Sequence, residues 1–217
     1  MKLKISNTSK MLLLSVAFTF TLVFVRFLYT GSDFYRFYLW NTFLAAIPYV
    51  LSTRLLRCKN ITIPAILLVA AWLLFLPNAP YMVTDLFHYQ ENNEAPYWYD
   101  LFIVITGAWN GIALGLISLM NVEKFFSRHI KPVWVTALVF LSLFLSSYGV
   151  YIGRFYRFNS WDILSAPGNL AYTSAHHFLL PVQYPKVWVF TFLCSIMLAL
   201  VYFTLKKLPA MGKIENT

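Results

Sequence analysis

Six apolar runs, each close to the length of a membrane crossing, leave this chain few ways to fold. They extend from Met11 to Tyr29, Phe37 to Thr53, Ile61 to Leu76, Leu101 to Met120, Val133 to Gly153, and Val187 to Leu205. A bilayer core about 30 Å thick needs roughly 20 residues of helix at 1.5 Å each. The runs are too long for strands and too continuously apolar for surface helices. Composition agrees: 59% of the 217 residues are hydrophobic, 19% aromatic and 12% charged, whereas a soluble domain carries about a quarter charged residues. A disordered chain, a disulfide scaffold and an ordinary soluble enzyme are excluded. The expected fold is an all-α integral membrane protein. It is a six-helix transmembrane bundle forming one domain over residues 1–217, with two outer-side loops that carry short interfacial or re-entrant helices.

Lys2, Lys4 and Lys10 ahead of an apolar stretch also describe a signal peptide. The run is long, holds Arg26 near its end and has no small-x-small cleavage site, so it is read as a retained first span. Charge sets the orientation. Twelve of the seventeen Lys and Arg residues lie in the N-terminal tail, the second and fourth loops and the C-terminal tail. The long third loop, residues 78–99, has none. By the positive-inside rule both termini are cytoplasmic. Six of the eight acidic residues, Asp33, Asp85, Glu91, Glu94, Asp100 and Asp162, then fall outside. The net charge of +9 is explained by this bias, and no nucleic-acid partner is expected. Trp40, Tyr97, Trp98, Tyr99 and Trp188 sit at outer interfaces and Trp134 at an inner one, where amphipathic rings prefer to lie. Cys58 and Cys194 have neither disulfide-framework nor metal spacing and read as free thiols.

Two segments depart from plain spans. The third run is short, and Pro77-Asn78-Ala79-Pro80 is expected to break it at outer-leaflet depth. Pro80 then opens a short helix on which Tyr81, Asp85 and His88, spaced i, i+4, i+7, share a face. The bland alternative is an interfacial turn with a solvated Asp and His. The second segment, Tyr151 to Asp162, interleaves Arg154 and Arg157 with aromatic residues. Here Ser160 is expected to cap a short helix ending at Pro167-Gly168, with residues 170–180 as a second piece too short to span. Headgroup contact is the bland reading for the two arginines. On the fourth span Gly107, Gly111 and Gly115 share one face and read as helix packing, within the bundle or in a dimer.

These two segments, Leu-Phe-Leu-Pro-Asn-Ala-Pro-Tyr-Met-Val-Thr-Asp-Leu at 74–86 and Tyr-Ile-Gly-Arg-Phe-Tyr-Arg-Phe-Asn-Ser-Trp-Asp at 151–162, resemble the two signatures of a bacterial multispanning membrane protein family known as a domain of unknown function. The resemblance covers nearly the whole chain. It implies a protein of the bacterial cytoplasmic (inner) membrane and carries with it no activity, substrate or catalytic residue.

If the two motifs converge outside, they form a polar pocket holding Asn78, Tyr81, Asp85, His88, Arg154, Arg157, Asn159 and Asp162. Three functions compete for it. One is binding or transport of a small anionic or zwitterionic solute clamped by Arg154 or Arg157, which an interrupted helix favours. A second is an enzyme acting on a lipid-linked envelope substrate, with Asp85 or His88 as general base; no familiar catalytic spacing supports it. The third is a structural or accessory role in which Asp85 and Arg154 form a buried ion pair. No cofactor is implied. A metal held by Asp85, His88, His176 and His177 is disfavoured, because adjacent histidines on a helix point about 100° apart. The expected partners are the lipid bilayer and a small solute or lipid-linked ligand.

Overall fold

The structure, a computed structural model, describes residues 7–89 and 94–211, with the side chains of His88 and 208–211 left aside. Its elements are α1 (Asn7–Thr30), α2 (Phe37–Leu55), α3 (Ile63–Phe75), α4 (Asn78–Tyr81), a 3₁₀ segment (Met82–His88), α5 (Tyr97–Phe126), α6 (Pro132–Tyr156), α7 (Asp162–Ser165), α8 (Pro167–Leu179), a 3₁₀ turn (Pro181–Gln183) and α9 (Pro185–Met211). No strand occurs among the described residues. Five helical stretches are long and apolar enough to cross a membrane: Asn7–Thr30, Ile63–Phe87, Tyr97–Phe126, Pro132–Tyr156 and Pro185–Lys207. The chain is an all-α membrane protein.

The second expected span, α2, is not among those five. Its 19 residues would nearly cross a hydrocarbon core. Trp40, Asn41, Thr42, Tyr49, Ser52, Thr53 and Arg54 lower its apolarity, and two of these face inward: Thr42 and Ser52 are buried, as is Tyr38. These inward polar groups leave the outer face of α2 apolar, where Leu39, Trp40, Phe43 and Val50 are exposed.

The chain divides into two compact units, one ending at Phe125 and the other starting at Phe126. In the first, side-chain hydrogen bonds fix how the helices run. Ser9 meets the Tyr49 hydroxyl at 2.7 Å, near the start of α1 and the end of α2. Trp72 Nε1 donates to Ser118 Oγ at 3.0 Å, and Asn121 Nδ2 to Ser52 Oγ at 3.1 Å. Asn110, in the middle of α5, donates to Thr19 at 2.8 Å and accepts from Ser15 at 2.6 Å. Thus α1, α2, the α3–α4 path and α5 alternate in direction. Buried Tyr38, Ala79, Met82, Ile103 and Val104 belong to the core between them.

The α-helix of the third path ends at Phe75, just ahead of Pro77, but the chain goes on in helical turns as far as Phe87. Thr62 caps α3 by accepting from Ala65 N, with proline in the first turn. Past Phe75 the backbone stays right-handed helical through Leu76, Pro77, Tyr81 and Met82 while its bonding shifts register. Ala79 N bonds to Leu76 O three residues back, and the Asn78 side-chain amide donates to Phe75 O at 2.9 Å. Asn78 thereby satisfies a carbonyl that the tightened turn leaves open.

In the second unit α6 and α9 pack together, with ring contacts such as Phe140 to Phe203 and Tyr151 to Phe190. α6 continues past Gly153 and ends where Arg157 turns left-handed at φ 61°. Glycine is the usual occupant of such a position, and arginine there costs about 1 kcal/mol. The N-cap position of α7 is Trp161, one residue past the expected Ser160, and Pro167 opens α8 instead of closing α7. Asp162 organises this loop, accepting from Asn159 N at 2.7 Å and Ser165 Oγ at 2.8 Å. At 13 residues α8 is too short to span.

Candidate functional site

The most tightly organised ionic site of the first unit is one that the sequence motifs do not contain. Arg26 lies on the last turns of α1 and is 1% exposed. Its Nε donates to Asp100 Oδ1 at 2.7 Å and its Nη2 to Asp100 Oδ2 at 3.1 Å, a two-point clamp. Glu94 lies 3.5 Å from the same Nη2, and Thr30 Oγ1 is 3.5 Å from Nη1. The Tyr35 ring covers the guanidinium at 4.8 Å. Asp100 opens α5, where the helix dipole also favours a negative charge. Burial pushes the Tyr35 phenol up to about 12, and the Asp100 carboxylate pushes the same way while Arg26 opposes. Tyr35 is therefore a neutral hydroxyl at any physiological pH.

A cavity of about 600 Å³ opens beside this site. Its apolar wall is Phe20, Val23, Phe24, Phe27 and Leu39, and its other end is formed by Gly31, Ser32, Asp33, Tyr35 and Arg36, with Arg26 also on the lining. Gly31, at φ 68°, ends α1 with its N–H on Phe27 O at 2.8 Å. Asp33 and Arg36 face each other across 3.8 Å with their side chains exposed. One end of the cavity is greasy, and the other carries both signs of charge.

The first motif occupies the same unit. Asp85 is 1% exposed and accepts from Asn41 Nδ2 at 3.0 Å. In the 3₁₀ segment side chains three apart align, so Asp85 shares its face with Met82 rather than with Tyr81. Asn78 and Tyr81 are half-buried, and Thr84 donates to Tyr81 O at 2.7 Å. The side chain of His88 lies outside the described residues. The glycine face of α5 receives this segment. A Cβ at Gly111 would clash with Ala79 O and stand 2.8 Å from Met82 Cβ, and one at Gly115 would be 2.9 Å from Ala79 Cβ. Gly107 lies against the Tyr38 ring.

The second motif belongs to the other unit. Arg154 is half-buried on the last turn of α6, and Arg157 and Asn159 are exposed. Of the expected pocket, Asn159 and Asp162 come together through the backbone bond described above, which holds the Asp162 carboxyl below its ordinary range, with Ser165 adding to the effect.

Sequence reading missed a second buried group here. His177 is 1% exposed, with Nδ1 3.0 Å from the Tyr148 hydroxyl and Nε2 3.2 Å from the Tyr156 hydroxyl. The Tyr184 ring packs at 4.8 Å. Burial, and next the neighbouring His176, lowers its pKa, so it stands as a neutral imidazole between two phenols. His176 instead meets Tyr172 O at 2.9 Å. Nothing in the sequence marks one histidine of the pair over the other. No group of three or more His, Cys, Asp or Glu side chains among the described residues is placed to hold a metal ion. Both cysteines are free thiols.

A family model described as a protein of unknown function, DUF1361, matches residues 40–201. No curated protein and no solved structure matches the chain significantly.

Proposed function

The chain belongs to the DUF1361 family, and from that premise we propose that it is a multi-pass protein of a bacterial cytoplasmic membrane that binds a small anionic or zwitterionic ligand on its external side. Both termini are cytoplasmic in this reading, and α2 is a sixth crossing. The positive charge of the tails and even-numbered loops supports that topology. So does the alternating run of α1, α2, the α3–α4 path and α5 within the first unit.

The observation that carries the binding reading is the cavity beside Arg26. Ligand sites are mostly apolar with a few placed polar groups, and here Asp33 and Arg36 stand at one end of a phenylalanine-lined wall. With the chain oriented as proposed, that end faces outward. Mass spectrometry of gently purified protein tests the reading. A co-purifying zwitterion or anion that is lost on Arg36→Gln supports it.

A structural role is the second reading. Arg26, Asp85, Asp162 and His177 each have side-chain or backbone partners inside their own unit. Ligand-free protein of unchanged stability in the Arg36→Gln variant would favour this reading.

A further inference from the structure

The occupant of the Arg26 cavity follows from its length and its charge. We propose that it is a zwitterionic phospholipid of the bilayer, its phosphate on Arg36 and its ammonium on Asp33, with one acyl chain along the phenylalanine wall. This rests on the external binding reading above and names its ligand class.

Three observations point to that chemistry. Phe20 and Gly31 bound the cavity along α1, and eleven residues of helix span about 16 Å. That is close to one leaflet's half of a hydrocarbon core about 30 Å thick. An acyl chain fits that length, and a small solute leaves most of the wall uncovered.

Second, the Asp33–Arg36 pair is largely exposed and 3.8 Å apart. A contact that loose contributes little to folding, so a headgroup can separate the two side chains at small cost. Arg26 is not available for this, because Asp100 and Glu94 already engage it.

Third, the sign of the local charge selects the headgroup. Arg26 and Arg36 are accompanied by three carboxylates, Asp33, Glu94 and Asp100. A headgroup with a phosphate alone meets a surplus of negative charge, whereas an added ammonium meets Asp33.

The test uses the whole protein in nanodiscs made from equal parts of phosphatidylethanolamine and phosphatidylglycerol with identical chains. The lipid that stays bound after transfer to detergent is quantified by native mass spectrometry. Wild type should retain phosphatidylethanolamine in preference, and Asp33→Asn should lower that preference by about threefold, the size of one exposed charge contact. Arg36→Gln should weaken retention of both lipids. Thermal unfolding of both variants should match wild type, since neither side chain is buried. Equal retention of the two lipids, or retention indifferent to both substitutions, overturns the proposal. Glycerophosphoethanolamine, the same headgroup without chains, separates this failure from that of the broader reading. If it binds in an Arg36-dependent way while the lipid does not, a solute site survives and the lipid is wrong. If neither binds, both fall.

Discussion

Arg26 and Asp100, 74 positions apart in the chain, meet through two parallel hydrogen bonds with both side chains almost wholly buried. The pair ties the end of α1 to the start of α5. Removing one member leaves the other charge buried and unpaired, at a cost of about 3–5 kcal/mol. Arg26→Met and Asp100→Leu should therefore each lower the unfolding temperature in detergent sharply. The double variant should lose less than the sum of the two, because no orphaned charge remains. Strict additivity in this cycle would remove the pair as a stabilising unit.

This pairing was present in the sequence only as two facts without a link. A lone arginine sat near the end of one apolar run and a lone aspartate at the start of another. Charges at membrane depth tend to pair, but several acidic residues were candidates, and choosing Asp100 requires knowing that α1 and α5 are neighbours. Five of the six expected spans coincide with helices long and apolar enough to cross a membrane, because about twenty apolar residues have few alternatives. The continuation through Pro77–Pro80 is not legible in the same way: two missing backbone donors read as a break, and the repair by the Asn78 amide depends on a turn that composition does not specify. α2 reads as a span from its length alone, and the burial of Thr42 and Ser52 on it depends on which helices pack against that face.

The glycine face of α5 yields the second prediction. Gly111→Leu should destabilise the protein far more than Ile112→Leu, by upwards of about 2 kcal/mol, since overpacking a dense contact typically costs 1–3 kcal/mol. The reason is local: any side chain at Gly111 meets Ala79 O and Met82. Unfolding curves that coincide for the two variants would place that face against something softer than a packed backbone.

His177 predicts a pH dependence with a definite sign. Burial and the nearby His176 lower its pKa in the fold below the ordinary 6.5. The contribution of the neutral imidazole is therefore fully present above pH 6.5 and is lost as the pH falls from there through the folded pKa. Unfolding temperature followed from pH 8 to pH 5 should drop in wild type, and His177→Asn should be less stable at pH 8 but flatter over the same interval. The lowered pKa of Asp162 acts in a more acidic window and leaves this comparison intact. A profile unchanged by His177→Asn would show that other groups set the acid limit.

Reporter fusions decide the topology. Fusions after Lys59, Lys131 and Lys213 should read cytoplasmic, and those near Glu94 and Ala171 external. The fusion after Lys59 tests α2 directly, since an external reading there would mean that α2 returns without crossing. The expectation rests on the basic residues that flank α2 and α3, namely Arg54, Arg57 and Lys59.

Asp85 carries the final prediction. Its carboxylate accepts from Asn41 Nδ2 at 3.0 Å, inside the first unit. A hydrogen bond to a charged group contributes about 1.5–3 kcal/mol, and the cost of losing it rises when the remaining group is buried. Asn41→Ala should therefore destabilise the first unit by roughly that amount, and Asp85→Ala should do the same. Combined, they should show a coupling above about 0.5 kcal/mol, as residues in contact do. Asn41→Asp sharpens the test, because it sets a second carboxylate against Asp85 with no change of size. It should cost more than Asn41→Ala near neutral pH, and most of that excess should vanish on adding Asp85→Asn. If Asn41→Asp is tolerated as well as Asn41→Ala, the hydrogen bond from Asn41 does not hold Asp85, and the contact between α2 and the 3₁₀ segment is one of shape alone.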